Sequence, residues 1–121
     1  MRTQESEETY LETIYMLGKG GDAVRSVDIA GALKYSRASI SVAMKNLREK
    51  KLIEVEQNGH IKLTEEGLGI ASSMYERHTL ISEWLVSLGV SRDTAERDSC
   101  KMEHTISDES FAAIKAFIEN V

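Results

Sequence analysis

Proline is absent from the 121 residues, so nothing in the chain removes a backbone donor or forbids a helix from continuing. Cysteine occurs once, as Cys100, which excludes an intrachain disulfide and removes any need for an oxidising compartment. Long apolar runs are also missing. The longest near-apolar stretch, Leu80 to Val90, is broken by Ser82 and Glu83 and falls well short of the ~20 residues that cross a bilayer. The N-terminal Met-Arg-Thr-Gln-Glu has no apolar run behind its charge, which argues against a secretory leader. These absences predict a helix-rich chain in the cytoplasm with no membrane partner, folded as one compact unit or two small lobes.

Negative charge dominates, with 20 acidic against 15 basic residues and a net charge of -5, but the imbalance is not uniform. Residues 25–62 hold eight bases, Arg25, Lys34, Arg37, Lys45, Arg48, Lys50, Lys51 and Lys62, against Asp28, Glu49, Glu54 and Glu56, a balance of +4. The rest of the chain stands at -9. A basic module inside an acidic chain is compatible with nucleic acid, which the net charge alone disfavours.

The periodicity inside that module supports the same reading. Tyr10, Ile14 and Leu17 fall at i, i+4 and i+7 on a first helix stopped by Gly18, Gly20 and Gly21. A short helix follows over Val27, Ile29, Ala30 and Leu33. After a break at Tyr35, Ser36 caps a third helix with Ile40, Met44 and Leu47 inward. Two short helices across a tight turn form a helix-turn-helix. The alternating runs Leu52 to Gln57 and His60 to Leu63 then flank Asn58-Gly59, the preferred pair for a two-residue type I′ hairpin. The expected fold is mainly α, an N-terminal winged helix-turn-helix with a two-stranded wing over residues 1–66 and an α-helical domain over 67–121. In the second part Thr64 caps a long helix stopped by Gly89, Ser91 caps another and Ser107 a last one.

Small polar residues at the start of the third helix suit a major groove, and the neighbouring bases suit phosphates. Ser36, Arg37, Ala38, Ser39, Ser41, Val42 and Lys45 form that face, with Lys50, Lys51 and Lys62 adding charge. Val42, apolar on an outward stripe, matches a thymine methyl or is an incidental surface valine.

A second constellation is Cys100, Glu103 and His104, spaced i, i+3, i+4, with Glu96 one turn earlier. On a helix it aligns a thiol, a carboxylate and an imidazole, a donor set for one divalent ion; solvated side chains are the plainer alternative. His78 interrupts the apolar stripe of Ala71, Met74, Ile81 and Leu85, where an imidazole needs either a hydrogen-bond partner or a metal. Leu80, Trp84, Leu88, Phe111, Ile114, Phe117 and Ile118 exceed what one small helical lobe covers and predict a homodimer, the plainer alternative being that they are all monomer core. With no positioned nucleophile motif or glycine-rich phosphate loop, neither an enzyme nor a small-molecule substrate is expected.

The run Glu8 to Leu17, the winged helix-turn-helix, Glu76-Arg77-His78 and Cys100-Lys101-Met102-Glu103-His104 together resemble the DtxR/MntR family of metal-dependent transcriptional repressors. The resemblance covers nearly the whole chain and is similar to the short, two-domain members that lack a C-terminal SH3-like domain. It implies a DNA-binding winged helix joined to a metal-binding and dimerisation domain, with Fe(II) or Mn(II) bound between them and activating binding to double-stranded operator DNA. Its metal-binding places fall on Thr9, Glu12, His78, Cys100, Glu103 and His104. Thr9 stands where manganese-type members have aspartate and iron-type members methionine, leaving a hydroxyl, a backbone carbonyl, a water or no ligand there. Cys100 matches the iron-type pattern and Glu12 the manganese-type. Second-site places fall on Ser82, with Glu83 beside it, and on Glu96. Mixed sulfur, nitrogen and oxygen donors also admit Co(II), Ni(II) or Zn(II). The alternative reading is a winged-helix regulator that responds to a non-metal ligand.

Overall fold

The computed structural model describes residues 3–120. Along the chain run α1 (Thr3–Gly18), α2 (Ser26–Leu33), α3 (Arg37–Glu49), β1 (Ile53–Val55), β2 (Ile61–Leu63), α4 (Glu65–Ser87), α5 (Arg92–Thr105) and α6 (Asp108–Glu119). Two compact units divide between Ser73 and Met74, inside α4. That is later than the 66/67 boundary expected from the sequence, because the first turns of α4 pack with the wing. Gly67 lies against the Leu52 backbone, while Ala71 and Ile70 join the first unit's core.

In the first unit, Leu11 and Ile14 of α1, Ile29 of α2, Ile40 and Leu47 of α3, and Leu52, Ile53 and Ile61 around the wing are all buried. The inward positions follow the helical period of each segment, and removing their apolar surface from water is what holds three short helices together. The turn between α2 and α3 is made by Lys34, in the left-handed region at φ 59°, and Tyr35 then donates its N–H to the Ala30 carbonyl at 3.2 Å. Ser36 caps α3 by accepting the Ser39 N–H at 3.1 Å. At the start of α2 the Asp28 carboxylate accepts the Arg25 N–H at 2.9 Å.

The wing is an antiparallel pair in the register Ile53 with Leu63, Glu54 with Lys62 and Val55 with Ile61. Its turn differs from the two-residue one expected at Asn58-Gly59. Glu56 N–H donates to His60 O, and Gly59 N–H donates to Glu56 O, both at 2.9 Å, so the loop has three residues, Gln57 to Gly59. Gly59 alone takes a left-handed backbone, at φ 87°, while Asn58 uses its side-chain oxygen to accept the His60 N–H at 3.0 Å. One left-handed glycine closing a three-residue loop replaces the two left-handed residues that a type I′ turn demands. On its other edge β2 is tied down, with the Ile61 N–H donating to Val24 O at 2.8 Å.

The second unit comprises α4 from Met74 onward with α5 and α6. Met74, Ile81, Ala95 and Phe111 are buried, but so are Arg77, Ser82, Ser99 and Glu103. Ser91 and Ser107 cap α5 and α6 as expected, accepting the Thr94 N–H at 3.4 Å and the Ser110 N–H at 3.0 Å. A core this polar requires each buried group to find a partner, and those partners build the site.

Candidate metal centre and nucleic-acid face

Glu103 is the centre of the second unit's polar interior. Its side chain is fully buried. Oε1 lies 2.8 Å from His78 Nδ1, and Oε2 lies 3.5 Å from His104 Nε2. One carboxylate thus faces two imidazoles, His78 from α4 and His104 from its own helix. The other ring nitrogen of His78, Nε2, meets Glu96 Oε1 at 2.7 Å. Ser99 Oγ lies 3.2 Å from Nδ1 and donates to the Glu96 carbonyl at 3.2 Å. With both nitrogens facing carboxylates, the ring keeps its second proton: the hydrogen bond to Glu103 is the largest cause, that to Glu96 adds to it, and together they overcome burial and push the His78 pKa up to about 9. A buried carboxylate needs a cation, and the His78 imidazolium supplies one.

The donor chemistry fits a divalent ion. Glu103 Oε2 is buried and accepts no hydrogen bond among the described residues, although an imidazole nitrogen stands beside it. Cys100, one turn ahead of His104 on α5, is exposed. Glu12 is buried on α1 of the first unit, at 8% exposure. Thr9 is half-buried, and its carbonyl accepts the Thr13 hydroxyl at 2.8 Å. Ser82 is buried and spends its hydroxyl on the Thr79 carbonyl at 3.2 Å. Glu83 is exposed and paired with Arg92 at 2.7 Å, and the same guanidinium lies 3.8 Å from Glu96. That guanidinium holds the Glu83 carboxyl below its ordinary value.

Two participants escaped the sequence reading. Arg77 is 6% exposed and contacts the last turn of α5, and Ser99 is fully buried beside His78. A signal for Arg77 existed, since it stands three residues after Met74 and four before Ile81, on the stripe assigned to the core. A basic residue at such a position needs a buried acceptor.

On the first unit, Arg37, Ala38, Ser39, Ser41, Val42 and Lys45 are all exposed on α3, and Val42 is 61% exposed. Lys50 is paired with Glu7 of α1, and Lys62 with Glu56 across the wing at 3.1 Å. Arg25 Nη2 reaches His60 Nε2 at 3.0 Å. On the second unit, Leu80, Trp84 and Ile118 line an apolar groove, and Leu88 and Phe117 are 64% and 65% exposed. Phe111, grouped with that face from the sequence, is instead buried within its own unit, its ring centroid 5.3 Å from the Arg77 guanidinium.

Each half of the chain matches a known family. Residues 2–61 match the N-terminal DNA-binding domain of the iron-dependent repressors, and residues 64–121 match their metal-binding and dimerisation domain. The chain belongs to the iron-dependent repressor family. It is 34% identical over 116 residues to the transcriptional regulator MntR of Escherichia coli O157:H7, covering 96% of this chain and 75% of the relative. An uncharacterised HTH-type transcriptional regulator of Methanocaldococcus jannaschii is 32% identical over 117 residues, covering 95% and 94%. Among solved structures, a manganese-dependent transcriptional repressor in complex with manganese aligns with a TM-score of 0.85 at 28% identity, over 93% of this chain and 52% of that one. The chain therefore spans about half the length of that solved repressor. Within the iron-dependent repressor frame, α3 and β1 fall in the DNA-binding match, which ends at the first residue of β2, and His78, Cys100, Glu103 and His104 fall in the metal-binding match.

Proposed function

We propose that this chain is a metal-dependent transcriptional repressor that binds double-stranded operator DNA as a homodimer in the cytoplasm when loaded with Fe(II) or Mn(II), and so controls metal homeostasis. The observation that carries the reading is the fully buried Glu103 carboxylate set between two imidazoles in a chain of this family. His78, Cys100, Glu103 and His104 are the donors we assign. The resemblance adds Glu12 and Thr9 from α1, with Glu96 and Glu83 as outer carboxylates. A bound ion would supply the positive charge that the His78 imidazolium supplies in its absence. The chain's own residues do the rest: Glu103 holds the His78 ring through Oε1 and turns Oε2 toward His104, and Ser99 and Glu96 orient the His78 ring from outside.

For DNA we assign base contact to the α3 face from Ser36 to Lys45 and phosphate contact to Lys50, Lys51 and Lys62. The dimer face is assigned to Leu80, Trp84, Leu88, Ile114, Phe117 and Ile118. By linkage, the factor by which the ion tightens DNA binding equals the factor by which DNA tightens ion binding, ~5 to 150-fold in typical couplings. The test is operator binding followed by fluorescence anisotropy, first in chelator and then with Fe(II), Mn(II), Co(II) and Zn(II) titrated in turn. Tightening by at least one ion is expected. Equal affinity in chelator and in every metal would identify a regulator that senses something else.

A further inference from the structure

Two consecutive residues of α4 hold Glu103 from opposite ends. His78 engages its carboxylate, and Arg77 engages its main chain: Nη1 donates to the Glu103 carbonyl at 3.1 Å and to the Ile106 carbonyl at 2.7 Å. The Glu103 carbonyl is among the last four of α5, which helix geometry leaves without intrahelical donors, and Ile106 is the residue that caps that end. Nη2 bonds the Asp108 carboxylate in the first turn of α6, and the guanidinium carbon lies over the Phe111 ring, 5.3 Å from its centroid. Arg77 is buried at 6% exposure, whereas the side chain of Asp108 is open to water, so the carbonyl bonds and the ring fix the guanidinium from within.

We propose that Arg77 is a positioning residue of the metal centre, fixing the backbone of Glu103 so that its carboxylate stands between His78 and His104. The inference rests on the metal reading above and extends it to a side chain that touches no ion. The guanidinium fork is required because two carbonyls must be engaged from one nitrogen while a second nitrogen reaches α6. A lysine ammonium lacks the fork and offers one nitrogen where the guanidinium spreads two.

The experiment uses Co(II), whose ligand-field bands report the donor geometry, on the full chain. Asp108→Asn keeps both carbonyl bonds and should bind Co(II) within about twofold of the parent, with the same bands, while losing some thermal stability. Arg77→Lys should weaken Co(II) by ~10 to 100-fold, the usual effect of losing an outer-shell partner, and shift the bands in a variant that circular dichroism shows to be folded. Unchanged affinity and bands in Arg77→Lys would overturn the proposal, as would losses in both variants that merely follow stability. If Arg77→Lys does not fold, Phe111→Leu decides: loss of the ring beneath the guanidinium should weaken Co(II) severalfold and shift the bands, and parental binding would overturn the proposal. A parent chain that gives no ligand-field bands, or a His104→Ala variant that binds like the parent, would instead remove the metal reading on which the inference rests.

Discussion

Replacing Gly67 by alanine should destabilise the first unit, although in an exposed helix the same change is favourable. A Cβ at residue 67 would stand 2.0 Å from the Leu52 carbonyl oxygen and 3.0 Å from its carbon. Ordinary non-bonded contact is about 3.5 Å, so the overlap exceeds an ångström and faces backbone, which has no rotamer to yield. The Leu52 carbonyl is not free to retreat, because it accepts the Thr64 N–H at 3.1 Å. The Thr64 hydroxyl in turn donates to Lys51 O at 2.8 Å and accepts the Gly67 N–H at 3.1 Å. Overpacking costs about 1–3 kcal/mol, with the upper end expected for a backbone neighbour. A lost hydrogen bond adds about 1 kcal/mol. The higher helix propensity of alanine returns about 1 kcal/mol. The net is a loss of about 3 kcal/mol. Gly69, on the same helix, is the control, since a Cβ there meets nothing within 4 Å. Urea unfolding followed by far-ultraviolet circular dichroism should give a lower midpoint for Gly67→Ala and a midpoint at or above the parent for Gly69→Ala. A Gly67→Ala chain as stable as Gly69→Ala would refute the reasoning.

Metal binding should release up to two protons per ion at neutral pH, one from the ring of His78, which is protonated up to about 9, and one from the Cys100 thiol, which must ionise to ligate; calorimetry in buffers of different ionisation enthalpy measures this, and Cys100→Ser should release one fewer. In the metal-free chain the raised folded-state value means that His78 contributes stability fully below about pH 6.5 and loses it as pH climbs through 9, so a thermal-melt series of His78→Gln should lack that decline. Arg37→Ala should relax preference at one operator position for about 1–3 kcal/mol, whereas Lys62→Ala should weaken all sequences alike and lower the salt slope by about one; equal losses for Arg37→Ala on operator and random DNA would make it a phosphate contact. Phe117→Glu, on an exposed apolar face, should give monomers in sedimentation velocity at concentrations where the parent is dimeric.

The elements that one strong periodicity governs were legible in the sequence. Ile40, Met44 and Leu47 announce α3 and its buried side, and Ser36, Ser91 and Ser107 mark helix starts that their side chains cap. What escaped depends on competition between distant groups. Asn-Gly favours a two-residue turn locally, but the closing pair is Glu56 with His60, which moves Asn58 off the left-handed position. Phe111 looks like surface apolar excess until it is found buried with the Arg77 guanidinium over its ring. The candidate cluster of Glu103, His104 and His78 was visible from spacing and from an imidazole in an apolar stripe. That Glu103 would be wholly enclosed, and that Ser99 and Arg77 would attend it, follows only from tertiary packing that brings α4 against α5.

The wing's attachment at Val24 bears on the order in which the first unit assembles. Two three-residue strands make too small a ribbon to persist alone in water. Here the ribbon borrows an acceptor from residue 24, far back in the chain, and its base leans on Gly67 beyond it. The loop from Val24 to Ile61 encloses α2 and α3, so the Ile61 bond forms only when those two helices bring residue 24 to the wing, and we expect the wing to fold late and to open with its unit rather than alone. Its amides, including that of Ile61, should therefore exchange with solvent at the pace of opening of the whole unit, and hydrogen-exchange protection in the wing becomes a readout of the helices beneath it.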